Sequence, residues 1–204
     1  RNSIKAATCC LNDHITKKMK TLTYFLALCL ATTTLLFTGG KSCPHDPVLT
    51  VAAACHQVSG GQPMLELCTK TLHAAANDKA DAVSSYAYRG AAAAVQSCVD
   101  TERAGSQLLR NPSLPKQLQA AYNHCIDRYG VAHKKINAIG QALYSCGFPK
   151  TFRQDCADAA AAIDDCARNL QAADPSSPLY KLALTGRELT AVTCSLALLG
   201  EAGH

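Results

Sequence analysis

Residues 118–143 read Leu118-Gln-Ala-Ala-Tyr122-Asn-His-Cys125-Ile-Asp-Arg-Tyr129-Gly-Val-Ala132-His-Lys-Lys-Ile136-Asn-Ala-Ile139-Gly-Gln-Ala-Leu143. The apolar positions Leu118, Tyr122, Cys125, Tyr129, Ala132, Ile136, Ile139 and Leu143 recur in steps that alternate four and three. Such steps keep one side of a 3.6-residue helix apolar, and the alternation is the seam of an antiparallel helical bundle. The same rhythm returns at Phe152, Cys156, Ala159, Ile163, Cys166 and Leu170, and again at Leu182, Thr185, Leu189, Val192, Leu196 and Leu199. The Ala-rich segment 79–109 is best phased on Val83, Ala87, Gly90, Ala94 and Cys98.

Turn chemistry separates these segments. Breaks fall at Gly60-Gly61-Gln62-Pro63, Asn111-Pro112-Ser113-Leu114-Pro115, Gly147-Phe148-Pro149 and Asp174-Pro175-Ser176-Ser177-Pro178. Ser177-Pro178 reads as an N-cap with proline in the first helical position, and Asp46-Pro47 as the same device near residue 46. Short connections between four helices of roughly 20–30 residues force antiparallel neighbours. The expected fold is all-α: an up-down-up-down four-helix bundle over 79–200. An N-terminal α-hairpin extension at 46–77 precedes it, built from helical pieces at 46–58 and 63–76. There is no β-alternation of useful length and no internal repeat.

The chain has 204 residues, no Trp and 5% aromatics, with abundant Ala. Alanine helices approach closely, so a thin core is expected. The net charge of +5 is concentrated at one end. Residues 1–40 hold Arg1, Lys5, Lys17, Lys18 and Lys20 against Asp13 alone, leaving 15 basic residues facing 14 acidic ones. That near-neutral remainder lacks the clustered basic face of a nucleic-acid binder.

Met19-Lys20 opens an apolar stretch of roughly 15 residues that ends in Thr38-Gly39-Gly40, the pattern of a secretory signal peptide over 19–40. A membrane anchor is the other reading, but Thr32-Thr33-Thr34 interrupts a run already short of the ~20 residues a bilayer needs. Residues 1–18 precede the natural start of such a leader and are expected not to belong to the natural protein. The mature domain is then 41–200, secreted into an oxidising extracellular space where disulfides persist, with no membrane contact after leader removal.

Of the 12 cysteines, Cys9, Cys10 and Cys29 fall before residue 41 and nine remain. Cys55 and Cys68 flank the Gly60-Gly61 turn, and a helical hairpin brings them together. Two short helices are marginal alone, and a bridge across a loop of this size contributes about 3 kcal/mol. Cys125 and Cys166 occupy the seams of consecutive helices and face each other if those helices are antiparallel, a bridge of about 4 kcal/mol. Two buried free thiols are the alternative for that pair. Cys146 and Cys156 flank Gly147-Phe148-Pro149 and form the candidate for an extra local bridge. Cys98 and Cys194, on the first and last bundle helices, are a further candidate pair. Nine is odd, so at least one thiol is free or pairs between molecules.

No catalytic set is legible. Gly-x-Ser-x-Gly, His-Glu-x-x-His and phosphate-loop patterns are missing. Cys55-His56 and His124-Cys125 lack zinc-ligand spacing, so neither metal nor cofactor is expected. Asp155, Asp158, Asp164 and Asp165 read as a solvated helix face, and His133-Lys134-Lys135 as solvated charge.

Over residues 46–200 the chain resembles the plant invertase and pectin methylesterase inhibitors. The resemblance rests on a leader before a hairpin with Cys55 and Cys68, on Ala-Tyr-Asn-His-Cys125-Ile-Asp-Arg-Tyr, on Ile-Asp-Asp-Cys166-Ala, and on the ending Leu189-Thr190-Ala191-Val192 through Leu198-Leu199. It implies disulfides 55–68 and 125–166. It also implies a protein without catalytic activity that docks over a cell-wall enzyme, either pectin methylesterase or acid invertase. The family pattern carries four cysteines, so Cys43, Cys98, Cys146, Cys156 and Cys194 exceed it. The segment after Cys166, Ala-Arg-Asn-Leu-Gln, lacks the Pro-Lys-Phe associated with invertase inhibitors. The competing classes are a secreted helical ligand carrier and a structural or signalling helical protein. The residues that would touch a target are not marked by any motif.

Overall fold

A computed structural model describes residues 43–73 and 79–202, apart from the His73 side chain. The segments 1–18 and 19–40, residues 74–77 of the expected hairpin, and Cys9, Cys10 and Cys29 lie outside the described residues. Six helices are described: α1 (Val51–Val58), α2 (Gln62–His73), α3 (Val83–Leu108), α4 (Lys116–Tyr144), α5 (Phe152–Ala173) and α6 (Pro178–Glu201). α3 packs against α4 and α6, and α5 against α4 and α6, which closes a four-helix ring. The α1–α2 hairpin lies against α3 and α6 at the end where α4 finishes and α5 begins. α6 is apolar enough by composition to span a bilayer, but it is a core helix here, with half of its most apolar window buried.

The seams of three bundle helices run over the phased residues. Val83, Ala87, Gly90, Ala94 and Cys98 are buried on α3, Tyr122 through Leu143 on α4, and Phe152 through Leu170 on α5. Leu118 is half-buried. α6 follows the expected phase only in part. Leu189, Val192 and Leu196 are buried as phased, but Leu182 and Thr185 are exposed. The inward face is completed instead by Leu179, Ala183, Gly186, Thr190, Thr193, Ala197 and Gly200. The reason is steric. A Cβ at Gly90 would lie 2.9 Å from Thr193 Oγ1, and one at Gly186 would lie 2.5 Å from Tyr129 Oη. The small face of α6 is what lets α3 and α4 approach, so counting leucines alone places the first turns of α6 on the wrong side.

The first hairpin helix begins at Val51 rather than near 46. Residues 43–50 form a strap instead. Its turn returns Asp46 N–H to Cys43 O at 3.3 Å, and β1 (Val48–Leu49) pairs antiparallel with β2 (Asp81–Ala82). Thr50 caps α1, accepting from Ala53 N–H at 3.2 Å. Asp46 therefore caps no local helix. Its Oδ2 accepts from Ser84 N–H at 2.8 Å, and Pro47 O accepts from Val83 N–H at 2.9 Å. The strap thus satisfies two of the orphan donors at the start of α3, whose own Ala82 has no side chain able to do so. Ser177 caps α6 from its N-cap position, with Pro178 following, and its Oγ also lies 3.0 Å from Tyr122 Oη.

Four disulfides join Cys55–Cys68, Cys125–Cys166, Cys43–Cys146 and Cys156–Cys194, with Cα–Cα separations of 5.7, 4.4, 5.4 and 5.8 Å. The candidate Cys146–Cys156 bridge is corrected. Cys146 ends α4 in a left-handed turn (φ 53°) and meets the strap, whereas Cys156 sits in the buried stripe of α5, within reach of α6. Cys98 does not pair with Cys194. Ser97 lies level with Gly186 across the α3–α6 contact, which puts Cys98 about 13 Å along the axis from the level of Cys194. Cys98 is the free thiol among the described cysteines, and it is buried.

Candidate functional site

The outer face of α4 and α5 carries the densest set of polar side chains. Lys135 Nζ lies 2.8 Å from Asp155 Oδ1 and 2.9 Å from Asp158 Oδ2. About two turns beyond Asp158, toward the end of α5, Asp165 Oδ2 is 3.1 Å from both His124 Nε2 and Arg128 Nε, with Arg168 at 3.8 Å from its other oxygen. Asp164 reaches Arg187 on α6 at 3.8 Å. The four aspartates read as a solvated face are thus ties from α5 to both of its neighbours. His133 turns the other way, 3.7 Å from Glu102 on α3. Lys134 alone of the basic triplet is exposed with no partner among the described residues. The missed signal is azimuth: α4 and α5 residues on the flanks of each seam meet whenever the seams do.

Hydrogen bonds from Lys135 and then Gln154 hold the Asp158 carboxyl below its usual 3.8. The same carboxylates, Asp155 first, hold Lys135 protonated well above its ordinary range. The pairs are half-buried at the surface, still within reach of solvent screening, and do little for stability individually. Their consequence is a fixed pattern of charge on one side of the bundle.

Between the first turns of α4 and the last turns of α5 lies an open groove of about 420 Å³. Ala120, Ala172 and Ala173 line it with Gln117, His124 and Asn169. None of the lining residues carries a hydroxyl or thiol. Cys98 supplies no ready nucleophile. Burial, and secondarily Glu102, push its thiol up to about 12, which leaves it protonated at neutral pH. Cys55 and Cys125, the cysteines next to His56 and His124, are both bonded and offer no thiolate to a metal. What the surface offers is shape and charge: a groove floored by small side chains, flanked by ordered ion pairs, on helices locked by a disulfide.

No protein-family model and no curated protein sequence matches the chain. Solved structures do match. The crystal structure of mutant form A of a pectin methylesterase inhibitor from Arabidopsis aligns at a TM-score of 0.58 and 14% identity, over 72% of this chain and 95% of that one. A pectin methylesterase inhibitor from Arabidopsis thaliana aligns at 0.53 and 13% identity, over 74% and 95%. Nearly the whole of each inhibitor is matched, and the chain has the pectinesterase-inhibitor-like fold.

Proposed function

We propose that this chain is a secreted proteinaceous inhibitor of pectin methylesterase. The observation that carries the reading is the likeness over 95% of two inhibitors of that enzyme. Residues 19–40 act as the leader, 41–200 form the inhibitor domain, and the mature protein works in the cell wall, where four disulfides persist. Inhibition needs no chemistry. A bundle whose helices are covalently tied offers a preorganised face, so little ordering entropy is lost when it covers a substrate cleft.

The test is residual activity of a plant pectin methylesterase and of an acid invertase titrated with the protein, across mildly acidic to neutral pH. Half-inhibition of pectin methylesterase at or below about 1 µM is expected, the range of a specific protein–protein contact. Inhibition of invertase alone would move the target within the same reading. Full activity of both enzymes would sink it.

A further inference from the structure

Of the eight bonded cysteines among the described residues seven are buried, and only Cys146 keeps part of its surface in solvent. Both cysteines of Cys55–Cys68 and of Cys125–Cys166 are fully enclosed. Cys156 and Cys194 lie between α5 and α6 at 6% and 9% exposure. Cys146 also differs in backbone. Gly147 N–H donates to Ala142 O at 2.9 Å and Cys146 N–H to Leu143 O at 3.3 Å, which makes Cys146 the left-handed residue of the turn that ends α4. Glycine ordinarily holds that position, and a cysteine there is strained. The strap at the other end of the bridge has a left-handed residue of its own, His45, at φ 64°.

The bridge spans 103 positions of sequence and is the strap's single covalent tie to the bundle. Beyond it the strap is held mainly by polar ties: Ser84 N–H to Asp46, Val83 N–H to Pro47 O, the two-residue ladder, and Tyr86 Oη to Leu49 O at 2.9 Å, with the half-buried Leu49 side chain its one apolar contact with the core. From Pro44 to Thr50 no strap residue is buried. The hairpin behind it is held differently, through Val51, Ala54, Cys55, Cys68 and Leu72 in the core.

We infer that Cys43–Cys146 is a reducible latch: a dithiol reductant opens it before any other bridge, and its opening frees the strap from the start of α3 while the four-helix ring stays folded. One thiolate of the reductant attacks Sγ of Cys146, the more exposed residue of the bridge; the S–S bond breaks and Cys43 leaves as a thiolate that takes up a proton. The second thiolate of the reductant then attacks the sulfur of its own partner in the mixed disulfide and releases Cys146 as a thiol. The reductant ends as a disulfide and the protein gains two thiols, so two electrons and two protons are accounted for. This inference is independent of which enzyme the protein binds.

The full chain is exposed to graded dithiothreitol, and separately to a thioredoxin-type dithiol protein, without denaturant. Free thiols are then alkylated and mapped by peptide mass spectrometry. Cys43 and Cys146 should label first, on the order of tenfold faster than any other pair. In that state the amides of Val83 and Ser84, which donate to the strap, should exchange with solvent at least roughly tenfold faster, while those of α4 and α5 keep their protection. A Cys43→Ser/Cys146→Ser variant should show the same exchange pattern without reductant. Earlier labelling of Cys156 and Cys194, simultaneous opening of all four bridges, unchanged exchange at Val83 and Ser84, or a double variant that does not fold would each overturn the latch.

Discussion

At the hairpin end, Leu72, Tyr86, Ile139, Leu143, Phe152 and Leu196 pack into one core, and three of the four disulfides lie in or beside it. Toward the opposite end, where the 109–115 and 174–177 loops turn, the core interleaves Ala91, Ala94, Ala121, Ala132, Ala159, Ala162 and Ala183 with Tyr122, Tyr129, Ile136, Ile163, Leu170, Leu179 and Leu189. One bridge, Cys125–Cys166, lies there. The difference follows from element length. α1 and α2 have 8 and 12 residues, too short to hold their own shape, so covalent ties and large aliphatic side chains hold that end. The loop end joins long helices, and its alanines contribute little area each. What the alanines add is close approach, beside the buried Ile and Leu side chains and polar ties between elements such as Tyr122–Ser177.

The largest expected effects separate the two ends by their staples. Replacing both Cys125 and Cys166 with Ala should lower global stability by about 4 kcal/mol, because the bridge closes a loop of 41 positions between two bundle helices. Replacing Cys55 and Cys68 with Ala should cost about 3 kcal/mol, and that loss should be local. Hydrogen exchange should show α1 and α2 unprotected with α4 and α5 intact. Denaturant titration with exchange mass spectrometry distinguishes these outcomes. A Cys55/Cys68 variant that melts the whole bundle at once would erase the division between the ends.

The division is only partly legible in the chain. The heptad-like rhythm marks α4 and α5 because bulky Tyr and Ile recur in it, and phasing alone brings Cys125 and Cys166 to one seam. The Cys55–Cys68 staple needs only a turn between two short helices. Cys43–Cys146 and Cys156–Cys194 are hidden for different reasons. The first depends on where an extended strap returns, which no periodicity encodes. The second depends on the rotation of α6, which leucine spacing marks poorly because much of its inward face is Gly, Ala and Thr. Asp46 shows the same limit: capping chemistry is readable, but its partner Ser84 lies 38 positions away. The charged face of α4 and α5 is unreadable as ties because, Arg168–Asp165 apart, its charges meet another helix rather than their own.

A middle-sized effect tests the small face of α6. Gly186→Ala would place a Cβ 2.5 Å from Tyr129 Oη and 3.4 Å from Ser97 Oγ. Tyr129 cannot swing away freely, since it is fully buried with its hydroxyl toward Ala183 O at 3.5 Å. Overpacking of this kind costs about 1–3 kcal/mol. Adding Tyr129→Phe removes the nearest atom and should recover part of the loss, so the pair is coupled rather than additive. Leu182→Ala, on the exposed side of the same helix, should change stability by less than about 0.5 kcal/mol. Thermal melts of these three variants and of Tyr129→Phe alone check this. A larger cost at Leu182 than at Gly186 would restore the leucine seam.

The smallest effect comes from the charged face, and its pH dependence identifies it. Asp158 has a folded pKa below its usual 3.8, so its contribution is complete above that value and is lost as pH falls through the lowered one. Lys135 is shifted upward from 10.5, so its contribution is complete below 10.5 and is lost only as pH rises past its raised value. The pair therefore acts throughout the range between those two limits and fails first on the acid side. Lys135→Met should give a slightly lower melting temperature than the parent at neutral pH, and the gap should close below pH 3.8 as Asp158 protonates. Salt should narrow the gap too, because both groups are open to solvent and added ions screen them. A gap that persists in acid would mean that Lys135 acts through the packing of its methylene stem over α5 and not through its charge. The Lys135 ion pairs would then matter only for what the surface presents to a partner.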